Sequence, residues 1–435
     1  MREAVAFSEA TAKRGGFSGG AASVGAVLVA SASSGGSMRG DVDVEATSAT
    51  GGIASPQPAG NAAASSASAP SAVNVEGSAD RTGAFFTRGL GCALLSPGCN
   101  LGARFDAAKA RGSLSGARMR FVFVMDSLDR VTHDKDTTFA FLKAAQARGH
   151  ESHHCLVRDL YIRDGAAWAL THRIEILPSA PWVVLHRDQG PTRLRLDETD
   201  AIFIRKDPPF DRAYSYATLL LERARKGPLI VNDPRGLRDA NEKLYALNFP
   251  EWTPRTMVTS DRDTIHDFVK EVGGQAVIKP LDGAGGAGVM QLSATDKNAR
   301  SIVDMLTHEG QRLAMVQEFL PSVTVGDKRI LLLDGEPLGA ILRVPRGDDI
   351  RSNIHVGGSV VPTELTAREL AMVAAIGPKL REDGLYFVGL DVIGERLTEV
   401  NVTSPTGIQE LGRFTGTTPS DKVIAWVEKK RAEKA

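Results

Sequence analysis

An apolar strand that ends in a lysine and runs straight into a glycine-dense loop constrains this chain more than any other stretch. It reads Ala276-Val277-Ile278-Lys279-Pro280-Leu281-Asp282-Gly283-Ala284-Gly285-Gly286-Ala287-Gly288-Val289-Met290. Gly283, Gly285, Gly286 and Gly288 leave the backbone nearly free of Cβ atoms, so its N–H groups can approach phosphate oxygens while Lys279 supplies positive charge. A Walker loop is excluded, because Val289 and Met290 stand where Lys and Ser or Thr are needed. Gly283, Gly285 and Gly288 fit GxGxxG literally, but that fingerprint should open a helix, and here an alternating strand follows. The pattern predicts a strand–loop–strand hairpin closing over a nucleotide as a lid; an ordinary glycine-rich turn is the alternative.

The chain has 435 residues, enough for about three structural units at about 100–200 residues each. Lys plus Arg equal Asp plus Glu at 52 each, so no net field draws in nucleic acid or an anionic membrane, and a small-molecule partner is expected. Cys92, Cys99 and Cys155 show neither a disulfide framework nor zinc spacing, which fits a reducing cytoplasm. No apolar run approaches the roughly 20 residues that span a bilayer.

Residues 1–118 are dominated by Ala, Gly and Ser and lack sustained apolar periodicity, so they are expected to be disordered. Gly25 to Ala30 only faintly imitates a signal segment, and the functional protein is expected to start at Met119. From there Phe121–Met125, His153–Val157, Ala201–Ile204 and Leu229–Asn232 read as strands. They alternate with helices over Thr137–Arg148, Tyr214–Arg225 and Leu237–Leu247, predicting an open, mostly parallel α/β sheet over residues 119–240. Ligands of such sheets lie beyond the carboxyl ends of the strands, where Asp126 and Arg205-Lys206-Asp207 fall. Residues 241–435 read as an α+β domain of hairpins and helices, with a lid over about 255–320 and a catalytic part over about 321–435.

The hairpin of Phe387–Ile393 and Arg396–Val402 carries polar groups among apolar ones. Alternation predicts Glu399 and Asn401 on one face, with Leu397 as their apolar neighbour and Asp391 close by on the adjacent strand. Two carboxylates and an amide suit Mg²⁺ better than zinc, with Mn²⁺ as an alternative, and Mg²⁺ accompanies nucleotide phosphates. A solvated hairpin face would show the same alternation.

Several segments together resemble bacterial-type glutathione synthetases, which are ATP-grasp ligases. They are Asn241-Glu242-Lys243-Leu244, Lys279 to Gly283, Gly326-Asp327-Lys328-Arg329, Val388 to Gly394 and Leu397 to Thr406. The similarity runs from Met119 to about Ile424, includes Arg205 to Phe210, and is specific because independent motifs occur in order. It implies a pre-ATP-grasp domain followed by an ATP-grasp domain. Lys243 and Lys279 would contact ATP phosphates, Gly283, Gly285, Gly286 and Gly288 would form the mobile loop, and Gln317, Glu318, Phe319 and Leu320 would read adenine. Asp391, Glu399 and Asn401 match magnesium positions, and Arg329 and Arg343 the arginines near the transferred phosphoryl group. Without the resemblance, these arginines would read as strand-surface charge. Asp136, Thr137, Arg205, Arg351 and Asn353 correspond to groups holding γ-glutamylcysteine, and Ser404-Pro405-Thr406 would border the active site.

The implied reaction converts γ-glutamylcysteine into an acyl phosphate that glycine attacks, giving glutathione, ADP and phosphate. No protein nucleophile is needed, in keeping with the absence of a G-x-S-x-G elbow or a Cys/His pair, and Cys155, His153 and His154 read as structural. The resemblance also implies a cytoplasmic homo-oligomer. Two rivals stay open: another ADP-forming carboxylate–amine ligase on the same scaffold, and a nucleotide-binding regulatory module without turnover.

Overall fold

The computed structural model describes residues 118–179, 182–186, 190–345 and 358–434. Arg351 and Asn353, and the segment 1–117, lie outside them.

The first sheet is built from β1 (Arg120–Met125), β2 (Glu151–Cys155), β3 (Leu160–Arg163), β4 (Ala166–Leu177), β5 (Val183–His186), β6 (Thr192–Arg195), β7 (Ala201–Arg205) and β8 (Leu229–Val231). Helices α1 (Thr137–Ala147), α2 (Arg212–Leu221) and α3 (Pro234–Asp239) accompany it. Its parallel heart, β2-β1-β7-β8, is the expected α/β unit, and every residue of β7 is buried. An antiparallel extension of β3 to β6 around β4 had no counterpart in the sequence reading. In β4 the polar residues Thr171, His172, Arg173 and Glu175 break up the apolar run. Aspartates start the helices: Asp136 accepts the Phe139 N–H and Asp211 the Tyr214 N–H, each at 2.8 Å.

The helix expected over Leu237–Leu247 is instead two pieces. After α3 the Asn241 side chain accepts the N–H groups of Lys243 and Leu244, both at 3.1 Å, and a 3₁₀ turn follows over Leu244–Asn248. An asparagine competing for backbone N–H groups in this way favours a turn over a continuous helix.

The second sheet orders β11 (Met290–Ser293), β10 (Gln275–Pro280), β12 (Ala314–Glu318) and β9 (Thr256–Thr259), all antiparallel. With α4 (Arg262–Glu271) and α5 (Ala299–Thr307) it encloses its own core, around Ile265, Phe268, Ile278, Val303 and Val316.

The third sheet, of five strands, orders β15 (Ser359–Pro362), β14 (Glu336–Val344), β13 (Asp327–Leu333), β16 (Phe387–Ile393) and β17 (Arg396–Asn401). Helix α6 (Ala367–Glu382) begins at a capping box of Thr366 and Glu369, and α7 (Ile408–Thr415) and α8 (Pro419–Lys434) close the chain. The first and third sheets share two cores. Val122, Val124 and Ile204 join Ile330, Val388 and Leu390 in one, while Phe121, Phe123 and Phe203 join Leu331 and Phe387 in the other. Period-two alternation along β1 thus feeds both.

One expectation about the β16–β17 hairpin is corrected. Asp391 pairs with Glu399 but Val392 pairs with Leu397, leaving Thr398 as the extra residue of a bulge. The bulge inverts the alternation, so Leu397 turns into the core with Val392 and Val400 while Glu399 stays on the face of Asp391.

Candidate active site

Between the second and third sheets lies a cleft of about 890 Å³. Lys279 of β10, Gly283 to Gly286, and Gln317 to Leu320 at the end of β12 line it from the second sheet's side. Lys243, Asp327, Asp391, Thr398 and Glu399 line it from the other. Gly288 lies in the same loop but outside the lining; its φ is +73°, and a Cβ there would stand 2.8 Å from Pro280 Cγ. Lys279 Nζ donates to Gln317 Oε1 at 2.7 Å, and burial pushes its pKa down, with the nearby Lys243 adding to the effect against the pull of Glu399. Lys243 Nζ donates to the Gly283 carbonyl and stands 3.0 Å from Glu399 Oε1.

The floor of the cleft is a buried charge network. Arg329 grips Asp391 through two hydrogen bonds, Nε to Oδ1 at 2.5 Å and Nη2 to Oδ2 at 3.1 Å. Arg343 Nη2 lies 2.5 Å from Asp327 Oδ2 and 2.9 Å from Asp391 Oδ1. Burial alone would raise the Asp391 pKa, but the two guanidinium groups outweigh it and hold the carboxyl well below its usual range. Asp327 goes the other way: burial and the charge of Asp391 push it up to about 6 against the pull of Arg343. Arg329 and Arg343 are 6% and 4% exposed, so they are not the strand-surface charges that their residue type alone would suggest.

Asp391, Glu399 and Asn401 all line a second cavity, of about 1730 Å³. Asn401 donates its Nδ2 to the Gly389 carbonyl at 3.3 Å, which leaves the amide oxygen as a donor to a cation. Two carboxylates and an amide oxygen fit a hard divalent ion that draws its remaining ligands from phosphate and water. Among the described residues, no group of three or more His, Cys, Asp or Glu forms a self-sufficient metal cage.

The second cavity also holds Asp136, Thr137 and Arg205 from the first sheet's side and Ser404 to Gly407 from the third. Arg205 is buried; it donates Nε to Thr138 Oγ1 at 3.1 Å and Nη2 to the Pro405 carbonyl at 2.9 Å, with its guanidinium over Phe141 and Phe387. Burial raises the pKa of Asp136 and lowers that of Arg205. Ala284, Gly285, Asp391 and Glu399 belong to both cavities, so the two spaces meet at the acidic floor under the glycine loop.

Three acidic residues that line one or the other cavity were given no role by sequence reasoning. Asp327 partners Arg343; Glu242 accepts from the N–H groups of Val402 and Thr403 and from Thr403 Oγ1; and Glu410 stands at the start of α7. Glu242 and Asp327 lie inside quoted motifs, but neither motif separates a buried acid from a solvated one. Cys155 is buried, His153 bonds Glu151 and Thr171, and His154 bonds the Asp126 carbonyl, in keeping with structural roles.

Comparison with known proteins agrees with this geometry. Residues 119–238 match the prokaryotic glutathione synthetase N-terminal domain, and residues 242–416 match the prokaryotic glutathione synthetase ATP-grasp domain. A glutathione synthetase of Synechocystis sp. is 45% identical over 322 residues, which are 72% of this chain and 99% of the relative. One from Vibrio vulnificus is 45% identical over 66% of this chain and 90% of its own length. The fold also resembles the crystal structure of a D-cycloserine synthetase, with TM-score 0.51 and 16% identity over 71% of this chain and 99% of that one. ATP-grasp ligases work with ATP and divalent metal ions. The chain belongs to the prokaryotic glutathione synthetase family.

Proposed function

We infer that this chain joins γ-glutamylcysteine to glycine at the expense of ATP, yielding glutathione, ADP and phosphate. The observation that carries the reading is the junction of the two cavities: a nucleotide cleft and an acceptor cavity share Asp391, Glu399 and Gly285. A phosphoryl group leaving the first space can therefore reach a carboxylate held in the second.

Lys243 and Lys279 hold the ATP phosphates under the loop of Gly283, Gly285, Gly286 and Gly288, and Gln317, Glu318, Phe319 and Leu320 face adenine. This is supported by their common cleft, by the lowered pKa of the half-buried Lys279, and by the short reach of Lys243 to the loop carbonyl. Asp391, Glu399 and Asn401 would hold the metal, which we take to be Mg²⁺, with Mn²⁺ as a substitute; bound there, it would offset charge on the phosphoryl oxygens. Arg329 and Arg343 face the transferring group, and their grip on Asp391 fixes their planes before substrate arrives. Asp136, Thr137 and Arg205 hold γ-glutamylcysteine, joined by Arg351 and Asn353. With the cysteinyl carboxylate activated as an acyl phosphate, the glycine amine attacks its carbonyl carbon and phosphate departs. Water must be kept from that carbonyl, and the glycine loop above the junction is suited to exclude it.

We further propose that residues 119–240 form the substrate domain and 241–435 the ATP-grasp domain, with its lid over about 255–320. The separate core of the second sheet supports the lid. The ATP requirement supports a cytoplasmic setting, and no helix among the described residues is long and apolar enough to cross a membrane. Assembly as a homo-oligomer follows from the family resemblance. The deciding assay measures ADP release with γ-glutamylcysteine and glycine, omitting each in turn, with chromatographic detection of the tripeptide. ADP release that depends on both substrates and matches tripeptide formation is expected. Dependence on a different amine or acid would point to another ligase, and ATP binding without turnover to a regulatory module.

A further inference from the structure

The acceptor cavity contains a buried carboxylate whose charge the protein answers only in part. Glu410 is 4% exposed and lines the cavity from the first turn of α7. Arg413 Nη2 donates to its Oε1 at 3.1 Å, while its Oε2 has no hydrogen-bond partner among the described residues. The other acids of the cavity are matched or open to solvent. Glu242 receives three donors from Val402 and Thr403, Asp391 two guanidinium groups, Glu399 the Lys243 ammonium and Asp136 the Phe139 N–H, while Asp207 is exposed. A buried carboxylate oxygen without a donor is unfavourable unless a ligand supplies one.

A second unmatched atom shares the cavity. Thr137 is 1% exposed, lines the same cavity, and its Oγ1 also lacks a partner among the described residues. The first turn of α7 is fastened to the start of α1: Gln409 Nε2 donates to the carbonyls of His133 at 3.1 Å and Asp136 at 2.6 Å, and Arg413 Nη1 to that of Asp134 at 2.7 Å. Two acceptors on adjoining helix starts thus await a cationic donor.

The chemistry of the dipeptide says which donor. γ-Glutamylcysteine carries two carboxylates and one ammonium, and Arg130, Lys135 and Arg205 offer the cavity cations for the carboxylates. The ammonium needs an acid, and it must lie away from the carboxyl group that is phosphorylated. Arg329 Nη1 donates to the Thr406 carbonyl at 3.2 Å, and Glu410 stands four residues further along the chain, past the turn at Gly407 and inside α7. We propose that Glu410, with Thr137 Oγ1 in the same cavity, recognises the α-ammonium of the γ-glutamyl residue and so selects the amine-bearing dipeptide. This assignment rests on the proposed function above.

The test is steady-state kinetics of the full chain with γ-glutamylcysteine and with N-glutarylcysteine, which lacks only the amine. Wild type should prefer the amine-bearing dipeptide by about 10–150-fold in kcat/KM, the net worth of a hydrogen bond to a charged group. Glu410→Gln should abolish that preference by raising KM for γ-glutamylcysteine alone, with KM for ATP and glycine and the thermal midpoint unchanged. Arg413→Gln, which keeps the carboxylate, should retain the preference. An equal rise for both dipeptides in Glu410→Gln, loss of preference in Arg413→Gln, or a shift confined to glycine would overturn the assignment. Should Glu410→Gln fold poorly, Glu410→Asp, which withdraws the carboxylate by one methylene, should reduce the preference without abolishing it, and an unchanged preference there would overturn the assignment. Wild type without turnover of γ-glutamylcysteine and glycine would instead overturn the proposed function, a failure visible before any variant is made.

Discussion

Lys243 Nζ stands 3.0 Å from Glu399 Oε1, so the lysine proposed to hold the nucleotide and the acid proposed to hold the metal neutralise one another on one wall of the cleft. Both must change partners when the metal–nucleotide complex arrives. In Glu399→Gln the lysine is released from this pairing. Metal-free ATP should then bind no more weakly than to wild type, while turnover falls by about 100-fold or more because an oxygen ligand of the metal is lost. Equilibrium binding of ATP with and without Mg²⁺, set beside kcat, checks both halves; normal turnover at limiting Mg²⁺ would remove Glu399 from the metal role.

Lys279 is held below the ordinary lysine value of 10.5, first by burial and then by Lys243. Phosphate oxygens favour the charged ammonium and raise that pKa again on binding. ATP affinity should therefore start to fall at a lower alkaline pH than an ordinary lysine would allow, and binding there should take up a proton. Calorimetric titration in two buffers of different ionisation enthalpy reads the uptake, and Lys279→Met should eliminate it.

Asp327 has a folded pKa of about 6 against an ordinary value of 3.8, so the folded state holds its proton more tightly than the unfolded chain does. Its contribution to stability is full below pH 3.8 and is lost as pH rises through about 6. Asp327→Asn removes this titration. Thermal midpoints compared between pH 4 and 7.5 should shift in favour of the variant up to about pH 6 and then level off; a constant difference throughout would show that Asp327 does not titrate in that window.

Gly389 lies on β16 beneath the Arg329 side chain, and a Cβ there would come within 2.9 Å of Arg329 Cδ and 3.0 Å of Pro405 Cβ. Gly389→Ala should push the guanidinium off Asp391. A drop in kcat of about 100-fold is expected from misplacement alone, with KM for ATP within about twofold. Unchanged kcat would mean that the Arg329–Asp391 geometry is not used in catalysis.

Much of the nucleotide side was legible in the sequence because its chemistry is written locally. The glycine run after Lys279, and the alternation that sets Glu399 and Asn401 near Asp391, are patterns of adjacent residues. Leu397 was assigned to the wrong face because a bulge at Thr398 depends on how two strands pair, and a single strand does not record its register. The helix over Leu237–Leu247 was overextended because Asn241 acts through its own side chain, against the apolar periodicity around it. β4 went unseen because its polar residues interrupt the run. Arg343 and Glu410 show the wider limit: whether an Arg or Glu is solvated or buried is decided by residues distant in the chain, and only the fold brings Asp327 to Arg343 or Thr137 close to the start of α7.

The Asn232 side chain, just past β8, accepts the Phe387 N–H at 2.8 Å and donates to the carbonyls of Phe387 at 2.9 Å and Val402 at 2.7 Å. Arg205 adds a further stitch through Pro405. Sewn together in this way, the first and third sheets cannot part without breaking buried hydrogen bonds, whereas the small second sheet keeps a core of its own. If the small sheet is the lid proposed above, entry of ATP and exit of ADP fall to it, and its opening, rather than any separation of the larger body, would set the ceiling on how fast the catalyst can turn over.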